Sequence, residues 1–359
     1  MSKGNPTIRV KTSSDNTLRT GRTRGPFILV SSGNTITIAG DLVNVDLTAY
    51  LHTNKSDVHD LKKQIDAMAR GKWLAALESM ITALTCLRDK SSNWLDNESE
   101  VDAVEDTLAI FAESALASND AAKCELAVKG YVELSDWFQI HGSEVYAHRV
   151  DAALHNVMRI SQQQKQLKYS ATVHHRWGIK FQQFGLIHQS VNRLKIAHEL
   201  CRDLGDDSLQ AASLADTTFG LAILGSSPDV NLNEARRLAI NANDPARLLT
   251  VQMAEASSAR SFGRPHESLE ILSKAALVFP VFSHQVTPLW QAQWHRYNAI
   301  SAFQIGAEAC GERDLMIAQV IAEKYCFWHE IRKVAAIREL LARGCDDFRS
   351  AEVTIEVQE

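Results

Sequence analysis

From Ser56 onward the apolar residues recur at helical spacing, and small or turn-forming residues interrupt them every dozen to twenty positions. Ser56-Asp57 caps a predicted helix that runs to Arg70, Gly71 breaks it, and Lys72–Lys90 then places Trp73, Leu77, Met80, Leu84 and Leu87 on one face. The same reading predicts helices over 99–117, 120–139, 143–163, 170–184, 187–203, 208–224, 231–242, 246–262, 265–278, 287–305, 312–326 and 328–343. Helices of this length joined by short connections are antiparallel neighbours. Ahead of them, Phe27–Ser31, Thr35–Ala39 and Leu42–Leu47 have β character, with turn chemistry at Ser32-Gly33-Asn34 and Gly40-Asp41, which predicts a short hairpin or meander over 26–50. Val353–Val357 returns to strand character within a tail over 351–359. Residues 1–25 are polar, basic and rich in Ser, Thr and Gly, the composition of a disordered tail.

An even series of helical hairpins raises the question of a repeat. Trp177, Gly178, Phe181, Gly185, Ser190, Leu194 and Ala197 run as large, small, aromatic, turn glycine, small, large, small. Small residues let two helices approach to about 8–10 Å, large ones fill the space beside them, and glycine turns the chain. The second half of the pattern recurs at Gly263, Ser268, Leu272 and Ala275, with Ala256 and Ala259 on the preceding helix and Pro280 after it. It recurs again at Gly71, Ala76, Met80 and Ala83, and in part at Ala235, Ala239 and Ala242 ahead of Asp244-Pro245. This spacing resembles the tetratricopeptide repeat, although Gly185 and Gly263 stand further apart than two standard repeats of about 34 residues. The expected fold is all-α: a TPR-like α-solenoid of stacked hairpins over 56–345, behind a short N-terminal β-segment.

Composition narrows the function. At 45% hydrophobic and 23% charged, the chain reads as an ordinary folded, soluble protein. Lys3, Arg9, Lys11, Arg19, Arg22 and Arg24 face only Asp15 within 1–25, so the rest of the chain is more acidic than the formal charge of −5 suggests. An acidic body disfavours wholesale nucleic-acid binding, leaving Arg19, Arg22 and Arg24 as the candidate phosphate contacts. The six cysteines are scattered without a CxxC pair, which points to reduced thiols and a cytoplasmic location. No apolar run approaches the ~18 residues of a membrane span.

Motifs that carry chemistry are missing from the sequence. It has no Walker loop, GxGxxG, HExxH, GxSxG or EF-hand pattern. Adjacent His174 and His175 diverge by about 100° on a helix, and Cys326 with His329 lacks two further ligands. Asp206-Asp207 reads as helix punctuation. No metal, cofactor or catalytic residue is expected, and the chain is expected not to be an enzyme.

What the resemblance implies is a groove lined by the first helix of each hairpin. Carried over residue by residue, it assigns the groove to Thr172, His175, Ile179, Gln182 and Gln183 in one unit and to Thr250, Met253, Ser257, Arg260 and Ser261 in another. Ile179 and Gln183 stand where some family members place an Asn and a Lys for a peptide carboxylate, so that clamp is absent. In the first unit the register gives Val58, Leu61, Ile65 and Met68, all apolar. Trp290, Trp294 and Tyr297 fall at i, i+4 and i+7, as a buried face or as an aromatic hot spot for a partner. The expected function is a scaffold or adaptor binding a protein or peptide, with self-association through the strand-like ends. The alternative is a nucleic-acid-associated or bacterial signalling or immunity regulator acting through the basic tail.

Overall fold

The computed structural model describes residues 98–141, 146–226, 232–276 and 287–352, together with the backbone of four short strands before them. Strand β1 (Val10–Lys11) pairs antiparallel with β2 (Thr17–Leu18), and β3 (Phe27–Val30) pairs with β4 (Ile36–Ala39). These are separate two-stranded ladders, and the run expected over 42–47 lies outside the described residues. Among the described residues only β3 and β4 fall within the β-segment expected over 26–50, which is not supported beyond that pairing. The helices expected over 56–70 and 72–90, Arg19, Arg22 and Arg24, and the strand expected over 353–357 also lie outside the described residues.

Twelve helices make up the rest. They are α1 (Glu98–Ser118), α2 (Ala121–His141), α3 (Ala147–Gln164), α4 (Leu167–Gln183), α5 (Ile187–Leu204) and α6 (Asp207–Ile223). After these come α7 (Leu232–Asn241), α8 (Pro245–Ser261), α9 (Pro265–Ala276), α10 (Pro288–Gln304), α11 (Glu308–Tyr325) and α12 (Trp328–Ala342), and a 3₁₀ turn over Arg349–Glu352. The chain divides into two compact units, one of residues 1–88 and 93–133, the other of 89–92 and 134–359. In the first, α1 and the start of α2 bury Leu108, Phe111, Ala112, Ala115, Leu126 and Ala127. Asp120 caps α2, its carboxylate accepting from the backbone N–H of Ala122 and Lys123.

The second unit is a helical-repeat array. From α3 on, each helix packs on the next, and in addition α4, α6, α8, α10 and α12 touch one another in series. The first four open successive hairpins, and α12 continues their row. They start at Leu167, Asp207, Pro245, Pro288 and Trp328, a period of about forty residues rather than the 34 of the tetratricopeptide repeat. Helix starts follow local chemistry. The Asp206 carboxylate accepts from the Leu209 N–H, and that of Asp244 from the Arg247 N–H with Pro245 in the first turn.

Close approach is set by small residues. A Cβ placed on Gly178 in α4 would stand 2.5 Å from Cγ of Leu194 in α5, so the leucine is seated on bare backbone. Gly311 plays the same part for the Phe303 ring between α11 and α10. Ser268 and Ser301 share a hydrogen bond at 2.9 Å where α9 meets α10. Ala211, Ala215, Ala235, Ala239 and Ala254 let α6, α7 and α8 nest.

A second device joins elements far apart in sequence. Arg296 on α10 is fully buried. Its Nε donates to Glu330 of α12 at 2.7 Å, and its Nη1 donates to Glu352 of the 3₁₀ turn at 2.6 Å. The other Glu352 oxygen accepts from Arg260 of α8 at 2.7 Å, and both guanidinium groups flank the Tyr297 ring. Phe348 and Ala351 hold the same turn in a core with Ile300, Leu315, Val334 and Ile337. Burial alone would raise the Glu352 pKa, but Arg296 and Arg260 outweigh it and hold the carboxyl below its ordinary value. Glu352 thus contributes stability that is complete above about pH 4.5 and fades as acid carries the pH down through the lowered value.

Two substitutions test these supports by urea unfolding. Glu352→Gln leaves two buried guanidinium groups short of charge and is expected to cost about 3–5 kcal/mol. Gly178→Ala gains helix propensity but drives a methyl into Leu194, for a net loss of about 1–2 kcal/mol. Made together with Leu194→Ala, it should add nothing to the loss that Leu194→Ala causes alone.

Candidate functional site

The first helices of the hairpins enclose a cavity of about 240 Å³ within the second unit. α4 supplies His175, Arg176, Ile179, Gln182 and Gln183; α6 supplies Asp216 and Phe219; α8 supplies Arg247, Thr250, Met253 and Ala254. Leu289, Trp290, Gln293 and Tyr297 of α10, Lys333 of α12, Glu352, and Asp136, Gln139 and Ile140 from the end of α2 complete it. Side chains three and four apart on a helix share a face, which is how α4, α6, α8 and α10 each contribute residues from successive turns.

His175, Ile179, Gln182, Gln183, Thr250 and Met253 from the repeat register, and Trp290 and Tyr297 from the aromatic stripe, all line this cavity. The other expected residues are not on it. Thr172 is half-buried and donates back to the Lys168 carbonyl at 3.1 Å. Ser257 and Arg260 are buried behind the wall, where Arg260 is engaged by Glu352 and by the Ser257 hydroxyl at 3.2 Å. Ser261 lines a separate depression with Gly263, Gln304 and Phe348. Trp294 packs against the same core as Trp290 and Tyr297 but does not line the cavity, its indole N–H donating to the Leu272 carbonyl at 2.9 Å.

The register misses Asp216, Phe219, Arg247, Lys333 and Glu352. Asp216 and Phe219 sit on α6, which is separated from α7 by eight residues of sequence and so does not show the family spacing. Arg247 is one turn before Thr250, and extending that helix's inner face backward would have reached it. Nothing local marks Glu352.

The polar groups are arranged in pairs. The His175 Nε2–H donates to Asp216 Oδ2 at 3.0 Å, which leaves Nδ1 to accept from Arg176 Nη1 at 3.3 Å. Both ring nitrogens are therefore occupied. Burial is the main cause lowering the His175 pKa; Asp216 works against it, and Arg176 and Arg247 add to it. Arg176 pairs with Asp136, Nε to Oδ1 at 2.7 Å and Nη2 to Oδ2 at 2.8 Å. Gln139 donates to Gln183 at 2.9 Å, and Gln182 donates to the Asp216 carbonyl at 3.2 Å. The apolar part is Phe219 and Tyr297, edge to face at 6.0 Å, with Met253 and Trp290 against them.

His174 faces Arg193 and Trp177, and Cys326 donates to the Glu323 carbonyl, so neither histidine–cysteine candidate is assembled with further ligands. Among the described residues no three His, Cys, Asp or Glu side chains gather as a metal ion would need, and no helix is long and apolar enough to cross a membrane. Cys124, Cys201, Cys310, Cys326 and Cys345 are free, and burial pushes the Cys201 thiol up to about 12.

These environments set a pH dependence. Burial lowers the pKa of His174, His175, His198 and His329 below the ordinary value near 6.5, so the unfolded chain takes up protons first on acidification. Their contribution is complete above about pH 6.5 and declines as pH falls from there toward the lowered values. Unfolding free energy should drop by about 1 kcal/mol or more between pH ~7.5 and ~5, and His175→Gln should flatten part of that slope.

No family model matches the chain, and no curated protein is similar enough to it to count as a relative.

Proposed function

We propose that this protein is a non-catalytic scaffold or adaptor of the tetratricopeptide-like class that binds a protein or peptide segment along the inner helices of its array. One observation carries the reading. The cavity is built by consecutive inner helices, which set Ile179, Thr250 and Trp290 between an aromatic floor and polar walls. Helical-repeat arrays recognise extended partners on such a surface because each repeat adds a few contacts in register.

A binding role accords with the state of the titratable groups. A general base needs a free lone pair within reach of its substrate, and both nitrogens of His175 are engaged. The expected setting is cytoplasmic, with self-association a further property to be measured. A second reading, regulation through nucleic acid, rests on the basic composition of residues 1–25 and would appear as salt-sensitive RNA or DNA binding that disappears with them.

Photo-crosslinking distinguishes the groove from the rest of the surface. A benzophenone amino acid at Ile179 or Thr250 is expected to capture a protein partner in cell lysate, whereas one at Val320 or Ile240, exposed on second helices, is not. Thr250→Trp, which fills the cavity, should weaken that capture about tenfold or more, equivalent to ~1.4 kcal/mol. Crosslinks confined to Val320 and Ile240, or capture indifferent to Thr250→Trp, would remove the groove from the function.

A further inference from the structure

The charges around the cavity do not pair off evenly. Arg176 has Asp136, His175 has Asp216, and Glu352 is taken by Arg260 and Arg296. Two cations are left with distant partners. Arg247 stands 3.8 Å from Asp244, and its Nε donates to the Ser208 hydroxyl at 3.4 Å. The Lys333 ammonium stands 3.7 Å from Glu330, a carboxylate that already holds Arg296 at 2.7 Å. Burial first, and the Arg176 charge second, lower the pKa of Arg247, and burial lowers that of Lys333 against the pull of Glu330. A half-buried guanidinium held by a loose ion pair can turn to an incoming carboxylate, which it can bind with two parallel hydrogen bonds. Beside it lie the apolar side chains of Phe219, Met253, Leu289 and Trp290.

We propose that the groove takes a partner segment carrying an aspartate or glutamate next to an aliphatic residue, the carboxylate lying on Arg247 and the aliphatic group against Met253 and Trp290. This deepens, and rests on, the reading of the groove as a peptide-binding surface. Charge complementarity supplies the selectivity. A basic segment would meet Arg247 and Lys333, and a phosphate strand would need a run of cations that the lining, with Asp136, Asp216 and Glu352 in it, does not offer.

The test pans a displayed library of random short peptides on the full chain and measures enriched sequences as fluorescein-labelled synthetic peptides by anisotropy. Enriched peptides are expected to hold Asp or Glu beside Leu, Ile or Val. Changing that acid to its amide, or Arg247→Gln in the protein, should each weaken binding about tenfold or more, and the two together no more than either alone. Lys333→Gln supplies a second readout should Arg247→Gln fail to fold, and Arg202→Gln on an exposed surface should change nothing. Neutral or basic enriched peptides, or full affinity in both Arg247→Gln and Lys333→Gln, would overturn the acidic preference and leave the groove reading standing. Enrichment by the Glu356→Lys chain alone would mean that residues 353–359, which also set an acid, Glu356, between aliphatic Ile355 and Val357, fill the groove in place of a partner. Enrichment by neither chain would defeat the groove reading and this inference together.

Discussion

Arg296 has no exposed surface, and a guanidinium does not surrender its proton inside a protein. The interior must therefore supply negative charge. Burial works against the cation, but Glu330 from α12 and Glu352 from the turn beyond it hold its pKa well above the ordinary arginine value. Taking such ions out of water costs several kcal/mol each, so the network is a poor source of net stability. What it provides is position. α8, α10, α12 and the 3₁₀ turn have to stand where four hydrogen-bonding groups meet at 2.6–2.7 Å, and one wall of the cavity stands with them.

The rest of the array is held by a plainer rule, small residues facing large ones. Leu194 on Gly178 and Phe303 on Gly311 fix how deeply each hairpin closes, and the alanines of α6, α7 and α8 do the same between hairpins. Since each inner helix touches the next, these local distances propagate into the spacing of groove residues from different repeats. His175, Asp216 and Arg247 come from three successive inner helices, yet they lie within one another's electrostatic reach.

Much of this was legible before any coordinates. Periodicity located all twelve described helices, because helical spacing, capping aspartates and turn glycines agree along most of the chain. The slips have physical causes. The helix expected from 312 starts at Glu308, because Gly311 is a packing residue under Phe303 and not a breaker. The helix expected from 170 starts at Leu167, because the break falls at Lys165, which takes a left-handed conformation without being glycine. Of the residues that the repeat register assigned to a groove, most line the cavity and Arg260 does not. Arg260 belongs to the ionic network, and its partner lies 92 residues away, beyond the reach of any local pattern. The Trp290, Trp294 and Tyr297 stripe was one face by spacing alone; the hydrogen bond from Trp294 to Leu272 divides it.

Helical-repeat chains can ordinarily fold from one end, since each hairpin needs only its neighbour. The carboxylate that serves Arg260 is an exception, because it is made 92 residues later. At a translation rate of ~5–20 residues per second, the arginine waits roughly 5 to 20 seconds on the ribosome before its counter-charge exists. During that interval the inner surface near α8 carries uncompensated positive charge. The hairpin of α8 therefore reaches its finished packing only once the 3₁₀ turn has been made.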